Sequence, residues 1–269
     1  MKLNLWQIDA FAENGEAELR RAFAGPLAVA AVAAALGLGE TDPGAVLGWY
    51  EGIVGSVSAV TAGEPESAAG RAGFAALAEA LAPVLDGDPG ASLLAAAAGE
   101  GTLSRDEAIS NAAVMLFGGI ETTEGMILNA VLHLLAHPEA GGDVAAAVEE
   151  SLRLEPAAAS VDRYATHDME LGGAPVRAGD LVTISVAAAN RDPSEFPDPD
   201  AFRPGRPNAA RHLAFARGPH VCIGMHLARL EAHTAIERLR ARLPGLRLAR
   251  PAAPRGLVFR KPPELHVAW

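Results

Sequence analysis

Phe215-Ala216-Arg217-Gly218-Pro219-His220-Val221-Cys222-Ile223-Gly224 holds the only cysteine of the 269-residue chain. Glycines stand at Gly218, before that cysteine, and at Gly224, after it. The run from Met225 to Leu243 predicts a helix, so Cys222 lies in the loop just ahead of a helix start. Backbone N–H groups and the positive helix end then point at the sulfur, surroundings that suit a thiolate. A glycine on each side lets a flat group approach the backbone closely. A thiolate held this way is a candidate axial ligand for haem iron. Two other readings stay open on these residues alone. One is a small buried hydrophobe. The other is a zinc site using His220, Cys222 and His226, although zinc usually draws on more than one cysteine or on two spaced pairs.

Working outward, half of the chain is apolar and a fifth charged, a folded composition and not a disordered one. The formal charge of −11 argues against nucleic acid or anionic membrane as the main partner. No apolar run reaches the length of a spanning helix; the longest candidate, Gly25 to Leu38, is short and carries Pro26. No secretory signal is readable, and a lone cysteine fits a reducing, cytoplasmic setting.

The first half reads as helical: Leu5 to Ala12, Leu19 to Leu38, Ala45 to Thr61 and Ala68 to Val84. Ser104 and Glu107 form a capping box. The segment Asp106 to Leu135 that follows is apolar on nearly every face from Ala112, which predicts a central helix buried by its neighbours. A shorter helix, Val144 to Leu154, ends at Glu155-Pro156. Hairpin strands fill Val161 to Ile184, an irregular Pro/Asp-rich stretch runs from Asp192 to Pro207, and Leu257 to Val267 reads as a strand-like tail. Residues 1–269 read as one mainly α domain with a small β portion.

The pattern Phe-x-x-Gly-x-His-x-Cys-x-Gly, followed by Leu227-Ala228-Arg229, resembles the haem-binding signature of the cytochrome P450 family. Asn190-Arg191-Asp192-Pro193 and Phe196-Pro197-Asp198-Pro199 resemble the meander that approaches that loop. Glu150-Ser151-Leu152-Arg153 resembles the family's Glu-x-x-Arg motif, with Arg206 as its third member. The similarity runs from about Phe23 to the C-terminus. It implies haem b as cofactor, ligated by Cys222, with Phe215 and Gly224 lining it and His220 and Arg163 as candidates for its propionates. It also implies a buried Glu150–Arg153–Arg206 network that locks the meander.

Gly118-Gly119-Ile120-Glu121-Thr122-Thr123 breaks the local rule of its helix. Interior glycines cost about 1 kcal/mol each, and a glutamate among apolar residues is costly unless hydrogen-bonded. The resemblance makes Gly119 part of the room left for dioxygen, Glu121 the proton-supplying carboxylate and Thr122 the hydroxyl beside it. The plainer alternative is an arginine partner for Glu121 and a Thr122 hydroxyl bonded back to its own helix.

Against the family pattern the chain starts late. The usual N-terminal helices and much of the first sheet are expected to be lacking, and the link His137 to Val144 looks shortened. The expectations that follow are an open pocket admitting a bulky or carrier-borne substrate and a homo-oligomer covering exposed apolar surface. Electrons would come from ferredoxin and its reductase, or peroxide would replace them. The function implied is haem-thiolate oxidation of an organic small molecule (hydroxylation, epoxidation or oxidative rearrangement). A bacterial secondary metabolite is the substrate expected from the arginine-rich composition. A redox-neutral or peroxide-using enzyme, a silent scaffold or activator of a partner enzyme, and a haem-based sensor are the alternatives.

Overall fold

The computed structural model describes residues 6–269. Leu5, where the first expected helix begins, lies outside the described residues. The described residues divide into two compact units: Arg21–Glu124 with residues 6–10, and Phe11–Arg20 with Gly125–Trp269.

The first unit is helical. After α1 (Trp6–Asp9) come α2 (Gly25–Ala35), α3 (Pro43–Thr61), α4 (Ala68–Leu85), α5 (Leu93–Gly99) and the opening part of α6 (Arg105–Ala136). Side-chain caps explain where several begin. Asp42 accepts from Ala45 N–H at 2.9 Å, Ser67 from Gly70 N–H at 2.9 Å and Ser92 from Ala95 N–H at 3.0 Å. Ser104 and Glu107 cap each other's backbone, at 2.8 and 3.3 Å. Leu36, Val46, Leu77, Leu81 and Ala112 form the centre of this unit's core.

Helices α3 and α4 meet through glycines. A Cβ on Gly70 would stand 2.2 Å from Ser56 Cβ, and one on Gly73 would stand 2.8 Å from the Trp49 carbonyl. The hairpin is therefore held at a separation that only missing side chains permit. One expectation is corrected here: α4 is long and apolar enough, by length and composition alone, to cross a membrane. Its glycines and alanines, with Arg71 and Glu79 as its charged residues, raise the hydropathy without a dense core. The expected all-round burial of α6 is also corrected. Val114 is 66% exposed and Phe117 38%, whereas Thr123 to Leu132 are continuously buried.

The second unit carries the sheets. β1 (Glu16–Glu18) follows a turn at Gly15, whose φ is +73°, and pairs antiparallel with β7 (His266–Ala268), which also pairs with β6 (Arg247–Leu248). The expected N-terminal helix therefore stops at Asp9, and the next segment is a strand fixed by its partner, because Glu-Ala-Glu carries no strand preference of its own. α7 (Val144–Leu154) leads into nested hairpins. β2 (Ser160–Tyr164) pairs with β5 (Leu181–Ser185), and β3 (Met169–Leu171) with β4 (Ala174–Val176). α8 (Val186–Ala189), the irregular meander and α9 (Met225–Arg242) follow. The tail departs from its expected strand. Before β7 it makes, among the described residues, single bridges, Ala158 to Phe259 and Arg255 to Lys261. It is tied instead by Asn129 on α6, which donates to the Glu155 and Arg260 carbonyls at 3.0 Å each.

Gly70→Ala is expected to cost about 1–3 kcal/mol by overpacking the α3–α4 contact. Urea unfolding followed by circular dichroism measures it, and an unchanged midpoint would mean that the two helices part freely.

Candidate functional site

Cys222 is exposed, which removes the reading of a buried small hydrophobe. Its N–H donates to the Phe215 carbonyl at 2.9 Å, so the loop closes on itself just ahead of α9. A turn at Gly218–His220 lies between them, with Gly218 at φ +73°. Ala216 holds φ +56°, a left-handed conformation that costs a residue with a Cβ roughly 1 kcal/mol or more. A side chain on Gly224 would meet only Cys222 Sγ, at 3.9 Å. The sulfur therefore has an open flank, and Val221 and Ile223 beside it are exposed, Ile223 by 87%. Among the described residues no three His, Cys, Asp or Glu side chains gather to hold a metal ion, so the zinc alternative finds no support. An exposed thiol on a glycine-notched, apolar loop fits a broad flat group such as haem.

Behind this loop is a buried ionic network. Arg153 and Glu150 are both 0% exposed and pair in two places, Nε to Oε2 at 2.9 Å and Nη2 to Oε1 at 2.8 Å. The other Arg153 N–H groups donate to the carbonyls of Asn190, Pro199 and Ala201 at 2.8–3.1 Å. All five guanidinium donors are thereby used. Arg206 reaches Glu150 Oε1 at 3.2 Å and the Pro197 carbonyl at 2.5 Å. The Arg203 N–H adds a further bond to Glu150 at 3.0 Å. The three residues that the Glu-x-x-Arg pattern singles out thus meet at one point under the meander.

A second network was not read from the sequence. Glu149 receives Arg229 in two bonds, at 2.5 and 3.0 Å, and His212 at 3.3 Å. His212 Nδ1 accepts the Ala214 N–H at 3.1 Å, which leaves Nε2 to donate to Glu149. Burial alone would raise the Glu149 carboxyl, but hydrogen bonds from His212 and Arg229 overcome it and hold it at about 2. Arg229 also lies over the Phe215 ring, 4.6 Å from its centroid. The signal was present: Glu149 precedes the Glu-x-x-Arg motif, and Arg229 ends Leu227-Ala228-Arg229.

The remaining candidates of this unit are less engaged. His220 is exposed at the end of its turn. Arg163, on β2, is part-exposed and donates to the Asp162 carbonyl at 2.7 Å. Glu231, on α9, is buried, and burial pushes its carboxyl up to about 8. No motif had marked it.

Gly119, Glu121 and Thr122 belong to the first unit. A Cβ on Gly119 would stand 3.0 Å from Val32 Cγ2, whereas one on Gly118 would meet nothing within 4 Å. Gly119 thus serves the packing of α6 on α2, and Gly118 is the glycine that faces open space. Thr122 Oγ1 donates to the Gly118 carbonyl at 2.5 Å, the back-bond of the plainer reading. Glu121 Oε2 accepts from the Tyr50 hydroxyl at 3.4 Å. Burial and then the Glu121 charge push the Tyr50 phenol well above its usual range.

With this geometry in place, the likeness to known proteins is specific. A family profile described as Cytochrome P450 matches residues 144–241. The mycinamicin IV hydroxylase/epoxidase of Micromonospora griseorubida is 34% identical over 97% of this chain and 70% of its own length. The 20-oxo-5-O-mycaminosyltylactone 23-monooxygenase of Streptomyces fradiae is 41% identical over 66% of this chain, which spans 44% of that relative. The solved structure of P450BioI with an acyl carrier protein ligated to hexadec-9Z-enoic acid superposes with a TM-score of 0.82. It shares 32% identity over 98% of this chain and 72% of that one. The chain belongs to the cytochrome P450 family.

Replacing Arg153 by Leu is expected to cost about 3–5 kcal/mol, because it strands the buried Glu150 carboxylate. Arg153→Lys recovers only part, since an ammonium offers three donors and no planar fork. Urea unfolding measures both, and a loss below about 1 kcal/mol for Arg153→Leu would contradict the role given to the network.

Proposed function

We propose that the chain is the haem-binding part of a monooxygenase that hydroxylates, epoxidises or oxidatively rearranges an organic small molecule of bacterial secondary metabolism. The observation that carries this reading is the exposed Cys222 sulfur beside the open flank of Gly224. Cys222 would ligate the iron of haem b, and Phe215 and Gly224 would lie against the ring. His220 and Arg163 would take the propionates, and Arg163 has no carboxylate partner among the described residues. When bound through a thiolate, haem supplies oxygen activation, with electron donation from sulfur favouring O–O cleavage.

The chain's own part is proton handling and support. Glu121 would supply protons, and Thr122 the hydroxyl that orders them. The raised Tyr50 phenol stays protonated and keeps donating to Glu121 Oε2, which holds that carboxylate in one orientation. The Thr122 proton is engaged by the Gly118 carbonyl, so its oxygen is left to accept. Glu150, Arg153 and Arg206 fix the meander and act on folding and not on the reaction.

P450BioI was solved with an acyl group on a carrier protein, which supports a carrier-borne substrate as well as a free small molecule here. Ferredoxin and its reductase, or peroxide, would complete the reaction. Exposed Val57, Val60 and Val114 support association into a homo-oligomer.

The test is turnover of the haem-loaded protein with a macrolide lactone or a hexadecenoyl carrier protein. Ferredoxin with reductase under labelled dioxygen, and labelled peroxide, form the two arms. The expected product carries one labelled oxygen atom, and Glu121→Gln lowers its rate by about 10²-fold. Failure of both substrates to shift the haem spin state and to yield product, or an unaffected Glu121→Gln variant, would overturn the proposal.

A further inference from the structure

Within the second unit a cavity of about 450 Å³ lies where the C-terminal turns of α6 meet the end of α9. Val131, Leu134 and Leu135 form one wall, and Ile236, Leu239 and Leu243 the other. The link between α6 and α7 spans only residues 137–143 and contains a single short turn, Pro138–Ala140. It is too short to lay a further helix across these walls, whose side chains, Val131, Leu134, Ile236, Leu239 and Leu243, are buried around the cavity. The size falls within the range of ordinary small-molecule sites.

Two cations stand at the edge of this opening, Arg240 on α9 and Arg247 on β6. The Arg240 guanidinium is seated against the link, where it donates to the Gly141 carbonyl. Gly141 permits that seat, since a Cβ there would come within 3.1 Å of the guanidinium. Neither arginine has a carboxylate partner among the described residues. In a chain with a formal charge of −11, two arginines left without a counter-ion beside an apolar cavity are a site for an anion with an apolar body.

We propose that this cavity binds a medium-chain fatty acid, its chain between the α6 and α9 walls and its carboxylate on Arg240 and Arg247. Charge-assisted, two-pronged bonds from guanidinium groups match a carboxylate. The apolar walls select a chain over a free anion such as acetate. Cys222 is not among the lining residues, so occupancy is expected to leave the haem spectrum unchanged.

Calorimetric titration of the haem-loaded protein, its iron blocked by an azole, tests this with decanoate as probe and decyltrimethylammonium as the charge control. Decanoate is expected to bind one site without shifting the haem spectrum, and the cationic control at least about tenfold more weakly. The Arg240→Ala/Arg247→Ala double variant should weaken decanoate by about tenfold or more, and Leu135→Trp should abolish binding by filling the cavity. Equal binding of the cation, or decanoate binding untouched by the double arginine variant, would overturn the proposal. So would sedimentation showing that Leu135→Trp breaks a dimer, since a second copy would then be the occupant.

Discussion

The Arg153 guanidinium is fully buried and has every donor satisfied, and the arrangement of the meander and the Cys222 loop follows from that. Burying a charge is costly unless it is paired and its remaining protons are bonded. Here one carboxylate supplies the counter-charge and three meander carbonyls take the remaining protons. Those carbonyls belong to an irregular segment with no helix or sheet ladder to satisfy them. The meander thus takes its shape from α7. The order passes on: Asn190 gives its carbonyl to Arg153 and its side-chain oxygen to the Leu213 N–H at 2.7 Å. Leu213 in turn accepts from Ala216, and Phe215 accepts from Cys222, each at 2.9 Å. A path of hydrogen bonds connects a buried helix to the exposed sulfur.

The Glu149 cluster runs beside that path. It binds α7 to α9 through Arg229 and to the loop through His212 and the Phe215 ring. Two adjacent acidic residues on one helix therefore divide the work. Glu150 is sealed beneath the meander, while Glu149 is partly exposed and held ionised by a histidine and an arginine. The depressed Glu149 carboxyl lends stability that is present above its ordinary value of 4.5 and lost as the pH falls towards 2.

Much of this was legible because local chemistry and tertiary structure agree. The helix α7 begins at its Asp143 cap and ends ahead of Pro156, as the sequence suggests. The Ser104–Glu107 box and the nested hairpins likewise follow from residue type and spacing. What stayed hidden depends on distant partners. The strand Glu16–Glu18 exists only because β7 lies beside it. The positive φ of Ala216 leaves no mark in the sequence. The glycine pair of α6 looked like one feature and is two: Gly119 accommodates Val32, and Gly118 is open. Sequence spacing could not separate them, because the difference lies in which neighbour each one faces.

The most direct test of the account is the absorption spectrum of the haem-loaded protein, reduced and exposed to carbon monoxide. A strongly red-shifted Soret band that vanishes in Cys222→Ser is the predicted result. An unshifted band in the native chain, or a red-shifted band that survives the serine substitution, would contradict it.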